Sequence, residues 1–262
     1  FDMGRSVVAP FLWNRGIRRI DHVIGTHPQL DHVGGLAWIL AHFQVEKFWT
    51  NGAERQEEFW RRIERAMVQR KLEATVATEG RLISEGPACR MVVLNPQPRP
   101  ESSISAKSES LNNLSVVTEL VCREQRVLFT GDIEREALTR LTHSGNSAHI
   151  ALLKVPHHGA KSSLERRWLE TIRPAVGVVS AGRRNPYGHP AGEVLAAYQA
   201  VETQVWRTDR DGAIWADLDL TRQELSMHST REWILQPALP SADIWSVEQD
   251  NLRRLWRRWN WT

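Results

Sequence analysis

Three side chains able to bond a metal ion fall within six positions of one segment, Thr26-His27-Pro28-Gln29-Leu30-Asp31-His32-Val33-Gly34-Gly35. Neutral imidazole and carboxylate suit Zn²⁺, Mn²⁺ or Fe²⁺, and the two glycines let a following helix begin close to whatever His27, Asp31 and His32 surround. A single histidine is more often structural than ligating; three such groups at one strand end point to a shared partner. Phe129-Thr130-Gly131-Asp132 ends a second apolar run with a carboxylate, where an α/β protein presents polar groups to a crevice. Alone, Asp after Gly is ordinary turn chemistry. It is accompanied, however, by Val155-Pro156-His157-His158-Gly159, with Ser162 and Ser163 just beyond, and by Asn185-Pro186-Tyr187-Gly188-His189-Pro190. Four successive strand ends therefore carry His or Asp.

The elements that must position these groups are read from periodicity. Residues 20–25 and 45–50 are predicted strands, 34–43 a helix between them, and 53–72 an amphipathic helix with Phe59, Trp60, Ile63 and Met67 on one stripe. Residues 96–113, rich in Pro, Ser and Asn, read as a loop or an active-site flap. Residues 114–121 and 126–130 flank a polar turn and predict a β-hairpin; 150–155 and 175–180 are further strands, and 191–201 a helix. Alternating strands and helices make the class α/β or α+β.

In this order the motifs resemble the metallo-β-lactamase fold superfamily, whose HxHxDH turn is followed by a glycine-flanked Asp and later by a lone His. Within it the chain is most similar to the C-terminal domain of ComEC-type DNA-uptake proteins. Residues 4–20 with Val-Val-Ala-Pro-Phe-Leu, 26–35, 112–117, 128–133, 154–159, 185–190 and 207–214 carry the likeness. The resemblance implies an α+β fold, a four-layer αβ/βα sandwich over residues 1–225, with a C-terminal extension at 226–262. It implies one or two divalent ions, Mn or Zn, held by His27, Asp31, His32, Asp132 and His189, and no small-molecule cofactor. Asp31, Asp132 and His158 would be catalytic, His158 as proton donor to a leaving group. Lys154, His157, Ser162, Ser163 and Asn113 would contact substrate. The implied activity is phosphodiester hydrolysis of DNA, single strands above all, beside the membrane channel of a parent protein in the inner membrane, with the outer side favoured.

Three departures from the pattern bear on these expectations. Gln29 stands where a second His, or an Asp, would ligate, and an amide oxygen is a much weaker ligand. Asn112 and Asn113 stand where a further His is expected. The hairpin strands that open the fold in relatives precede Phe1, so the domain is expected to be N-terminally truncated. The first two leave the metal position served by His27 weak or empty.

Composition narrows the function only modestly. A formal charge of +3 over 262 residues is mild for a nucleic-acid binder. No apolar run approaches a membrane span and no signal pattern opens the chain, so a soluble extramembrane domain is expected. Cys89 and Cys122 lie far apart without a CxxC neighbour and read as two buried thiols. Residues 243–261, rich in Arg and Trp, offer either a surface for DNA or anionic lipid heads, or a helix with its Trp face on the core. A metal-dependent nuclease, a DNA-guiding module with a decayed site, and a small-molecule metallohydrolase are the functions to separate.

Overall fold

A computed structural model describes residues 2–53, 58–98, 110–143 and 149–231. The predicted segment at 243–261 lies outside the described residues, as does most of the predicted flap.

Two sheets face one another. The first has three parallel strands, β1 (Arg19–Gly25), β2 (Gln44–Thr50) and β3 (Ala74–Val76), in the order β1-β2-β3. The second has seven: β4 (Leu82–Glu85), β5 (Cys89–Asn95), β6 (Val117–Cys122), β7 (Gln125–Phe129), β8 (Leu152–Lys154), β9 (Val176–Val179) and β10 (Gln204–Arg207). They run in sequence order across the sheet, antiparallel from β4 to β7 and parallel from β7 to β10. A separate antiparallel pair, β11 (Ile214–Asp219) and β12 (Glu224–Ser229), follows.

Strand alternation assigns each side chain to a layer. Val23 and Phe48 pack outward on Leu40, Trp60, Ile63 and Ala66, from the helices α3 (Leu36–His42) and α4 (Glu58–Arg70). Their strand neighbours Ile24 and Trp49 point the other way, to Ile83, Val93 and Val116 on the second sheet. The outer face of that sheet buries Leu128, Leu153 and Val179 against Leu138, Trp168, Leu169, Val194 and Ala197. Those residues belong to α5 (Arg135–His143), α6 (Arg166–Ile172) and α7 (Gly192–Ala200). The order helix, sheet, sheet, helix is the four-layer α+β sandwich of the metallo-β-lactamase fold.

The predicted helix at 34–43 is divided. A short turn of helix, α2 (Leu30–Val33), precedes α3, and the break falls at Gly34-Gly35. There the backbone meets the N-terminal helical segment: a Cβ on Gly35 would stand 2.5 Å from the Gly4 nitrogen.

The cysteine reading requires correction. Cys89 and Cys122 form a disulfide, 33 residues apart in sequence. They are directly paired residues of the neighbouring antiparallel strands β5 and β6. Separation along the chain was a poor guide because a β-ladder brings distant positions face to face.

Candidate metal centre

Each candidate ligand sits just past the end of a strand. Beyond β1, the turn at Thr26 to Gln29 leads into α2, which carries Asp31 and His32. Beyond β7, Thr130-Gly131 leads to Asp132. Gly131 is required here: its φ is +52°, and a Cβ would lie 2.6 Å from that of Ser115. Beyond β8, the turn Pro156–Gly159 carries His157 and His158, both in the left-handed region with φ of 45° and 55°. Two successive non-glycine residues in that region cost about 1–2 kcal/mol each. The strained turn aims both imidazoles toward Asp132.

The groups converge. One ligand atom from each of Asp31, His32, Asp132 and His158 lies within 4.8 Å of all the others. His32 Nε2 and His158 Nε2 each stand 3.1 Å from Asp132 Oδ2, and 3.3 Å from one another. His158 Nε2 is also 3.4 Å from Asp31 Oδ2. His158 Nδ1–H donates to the Ser180 carbonyl at 2.6 Å, which fixes the ring with Nε2 facing inward, where an ion displacing its proton would meet the lone pair. Two inward nitrogens and two carboxylates in one small space are what a divalent cation satisfies, so the donor set fits the metal that the fold implies. The Asp132 side chain is 1% exposed and that of Asp31 60%, so the cluster is closed at its base and open to solvent at Asp31.

The electrostatics reflect this crowding. Burial opposes charge on Asp132, but hydrogen bonds from His158 and His32 and the nearby Lys154 ammonium hold its carboxyl well below the usual range. Burial also works against a charged His158, yet hydrogen bonds to Asp132 and Asp31 raise it to about 9. A hydrogen bond from His158 lowers Asp31.

His27 and His189 do not join the cluster. His27 is buried, and burial lowers it to about 4. Its Nε2 lies 3.1 Å from the Gln29 amide oxygen, an acceptor, and so carries the proton. Its Nδ1 lies 3.1 Å from Ser115 Oγ, which also accepts the Asp132 N–H at 3.0 Å. With Nε2 protonated, Nδ1 is the acceptor, and the Ser115 and Thr26 hydroxyls both stand 3.1 Å from it. The chain Asp132 N–H, Ser115, His27, Gln29 is a continuous relay. The His189 ring is 5.9 Å from that of His157 and lowered by burial, then by His157 and His158.

The expected substrate contacts divide. Lys154 donates inward, to the Gly131 carbonyl at 2.6 Å and Asp132 Oδ1 at 3.1 Å, and burial lowers its pKa. Ser163 is buried and donates to the Pro156 and Ala160 carbonyls, pinning the turn. Asn113 is buried too; its side-chain oxygen accepts the Glu134 N–H at 2.8 Å. His157 and Ser162 remain at the rim, 3.3 Å apart, with His157 Nδ1 also 3.2 Å from Glu134. Sequence reasoning missed Ser115, yet the hairpin register held the signal. Thr118 pairs with Phe129, and the same register continued three residues brings Ser115 level with Asp132.

Residues 1–87 match the metallo-beta-lactamase superfamily model. The chain is 30% identical over 223 residues to ComE operon protein 3 of Bacillus subtilis, covering 82% of this chain and 26% of that protein. It is 27% identical over 222 residues to competence protein ComA of Neisseria gonorrhoeae, covering 82% and 28%. The chain thus spans about a quarter of the length of these curated relatives. Among solved structures, Igni18, a metallo hydrolase from Ignicoccus hospitalis, aligns with a TM-score of 0.47 at 16% identity, over 80% of this chain and 79% of that one. The two-sheet sandwich and the motif-bearing N-terminal match make this a metallo-β-lactamase-fold domain, similar over most of its length to the competence proteins named above.

Proposed function

We propose that the domain hydrolyses DNA phosphodiester bonds during DNA uptake, at one tightly held divalent ion bound by Asp31, His32, Asp132 and His158. The observation that carries this reading is the convergence of those four groups. A bound ion would supply Lewis acidity and a water of lowered pKa. The protein's own part is to hold the ligands at fixed distances, to keep Asp132 ionised through Lys154 and the two imidazoles, and to leave the Asp31 side open for a strand to enter. His157 and Ser162 at that rim are the polar groups available to phosphate oxygens. With a net charge of +3, affinity for DNA comes from such local contacts, indifferent to base identity and steeply salt-dependent.

DNA as the substrate is taken from the relatives named for competence. The Cys89–Cys122 disulfide supports a location on the oxidising, outer side of the inner membrane, since such bonds are rare in the cytosol. No helix among the described residues is long and apolar enough to cross a membrane.

The test is cleavage of a fluorescent single-stranded oligonucleotide and of a generic phosphodiester by protein loaded with Mn²⁺ or Zn²⁺. Anisotropy is followed in parallel at two salt concentrations. Asp132→Ala is expected to abolish cleavage while DNA affinity stays within about twofold, because phosphate contacts lie elsewhere. Wild-type protein that binds DNA but never cuts either substrate, with any of Mn²⁺, Mg²⁺ or Zn²⁺, would establish a DNA-guiding role instead.

A further inference from the structure

We propose that Tyr187 is a stacking platform for a nucleobase of the strand whose phosphate lies at the Asp31–His32–Asp132–His158 cluster. This rests on the phosphodiesterase reading and adds to it a base-contacting subsite.

Tyr187 is 79% exposed, among the most exposed of the large hydrophobic side chains. A single exposed aromatic is unremarkable on a protein surface. What distinguishes Tyr187 is how it is held and what lies behind it. Its loop is closed by one side chain: Asn185 Oδ1 accepts the His189 N–H at 3.0 Å, and Asn185 Nδ2 donates to the carbonyls of His189 at 2.7 Å and Gly182 at 3.0 Å. Pro186-Tyr187-Gly188 therefore forms a fixed tip. The base of the loop is locked to the histidine turn. Gly159 has a φ of +78°, a Cβ there would stand 2.6 Å from that of Pro190, and the Ala191 N–H donates to the Gly159 carbonyl at 2.9 Å.

From that tip, rings lead to the cluster. The Tyr187 ring stacks on His189 at 5.8 Å between centroids and 18° between planes. His189 meets His157 edge-on at 5.9 Å, and His157 meets His158 at 6.2 Å. One face of Tyr187 thus packs on His189 beside the site, while the rest of the ring is open to solvent. Arg184, exposed, stands on the same loop, where its guanidinium can meet a strand's phosphates. An aromatic face beside cations is the general device for holding single strands without reading their sequence, since every base has a π-face.

The test measures anisotropy in the Asp132→Asn background, so that binding is read without turnover. The protein is titrated with a short oligothymidylate and with a strand of equal length whose nucleotides are abasic. The protein with Tyr187 intact is expected to prefer the base-bearing strand by about tenfold. Tyr187→Ala should erase that preference and leave abasic affinity unchanged, and Tyr187→Trp should keep it. Because the ring is exposed, neither change disturbs the core. A preference that survives Tyr187→Ala, or that is absent with Tyr187 intact, overturns the subsite. Failure of the Asp132-intact protein to cut any phosphodiester strikes the hydrolase reading alone, because the binding comparison stands without turnover.

Discussion

His32 and His158 are 126 residues apart in sequence, and their Nε2 atoms meet at 3.3 Å over a single carboxylate oxygen of Asp132. One imidazole comes from the turn after β1 in the first sheet, the other from the turn after β8 in the second. Neither could hold an ion alone. Their approach, with Asp31 beside them, makes the ligand set a property of the fold rather than of any one motif.

Titration with Zn²⁺ or Mn²⁺ should show one tight equivalent per chain. The His27 nitrogens face Gln29, Ser115 and Thr26, an arrangement that disfavours a second tight position. Gln29→His replaces the amide acceptor with an imidazole and should raise the tight stoichiometry toward two, read by calorimetry and by metal analysis after desalting. Two equally tight equivalents in the unaltered protein would refute the relay as a barrier.

Ser115→Ala removes the group that both accepts the Asp132 N–H and faces His27 Nδ1. Outer-shell changes of this kind typically cost about 10- to 100-fold in metal affinity. That loss should appear in competition with a chromogenic chelator. Ser115→Thr, which keeps the hydroxyl, should recover much of it.

Lys154→Met leaves the Asp132 carboxylate without its ammonium partner. Breaking a buried pair costs about 3–5 kcal/mol, and the two imidazoles and the partial exposure of Lys154 reduce this to about 2–3 kcal/mol. Urea denaturation in EDTA should show the loss, and added metal should restore part of it. A variant as stable as the parent without metal would mean that the histidines alone neutralise Asp132.

Away from the centre, burial lowers the pKa of His22, followed by repulsion from Lys47. The Trp49 Nε1–H donates to His22 Nδ1 at 3.1 Å, so this nitrogen must be unprotonated. A depressed folded-state pKa contributes stability that is present above the ordinary histidine value of about 6.5 and is lost as pH falls through the folded value. Tryptophan fluorescence should therefore report weakening of this contact as pH falls below that ordinary value. Replacing His22 by Gln, whose amide oxygen accepts at every pH, should flatten that part of the profile.

Much of this architecture was legible because long, regular elements announce themselves. Strands β1 and β2, the α4 stripe of Trp60 and Ile63, and the β6–β7 hairpin follow from periodicity. The short strands β3, β4 and β10, with three or four residues each, carry too few alternations to read. Missing β5 hid the partner of Cys122, and with it the disulfide. At the site, the motif nominates His27 as a ligand. Only the placement of Ser115 and Gln29 around it reveals that both nitrogens are used. His158 was read as a proton donor; its approach to Asp132 depends on two successive left-handed residues, which residue types do not disclose.

Reduction tests the disulfide by itself. A link closing a loop of 33 residues is worth about 3–4 kcal/mol on loop-entropy grounds. It lies at the hairpin-turn end of β6, opposite the Asp132 end. Cys89→Ser with Cys122→Ser should lower the melting temperature and leave metal affinity unchanged; weakened metal binding would mean that the two ends of the sheet are coupled.

The candidate ligands come in pairs from opposite sheets, Asp31 and His32 from one and Asp132 and His158 from the other. Whatever joins all four also rivets the two halves of the sandwich at one edge. A chelator would then do more than silence the domain. It would release a fastener, so protease resistance and hydrogen-exchange protection along β1 and β7 should fall together when metal is withdrawn, by a free energy that grows with the logarithm of the ratio of metal concentration to dissociation constant.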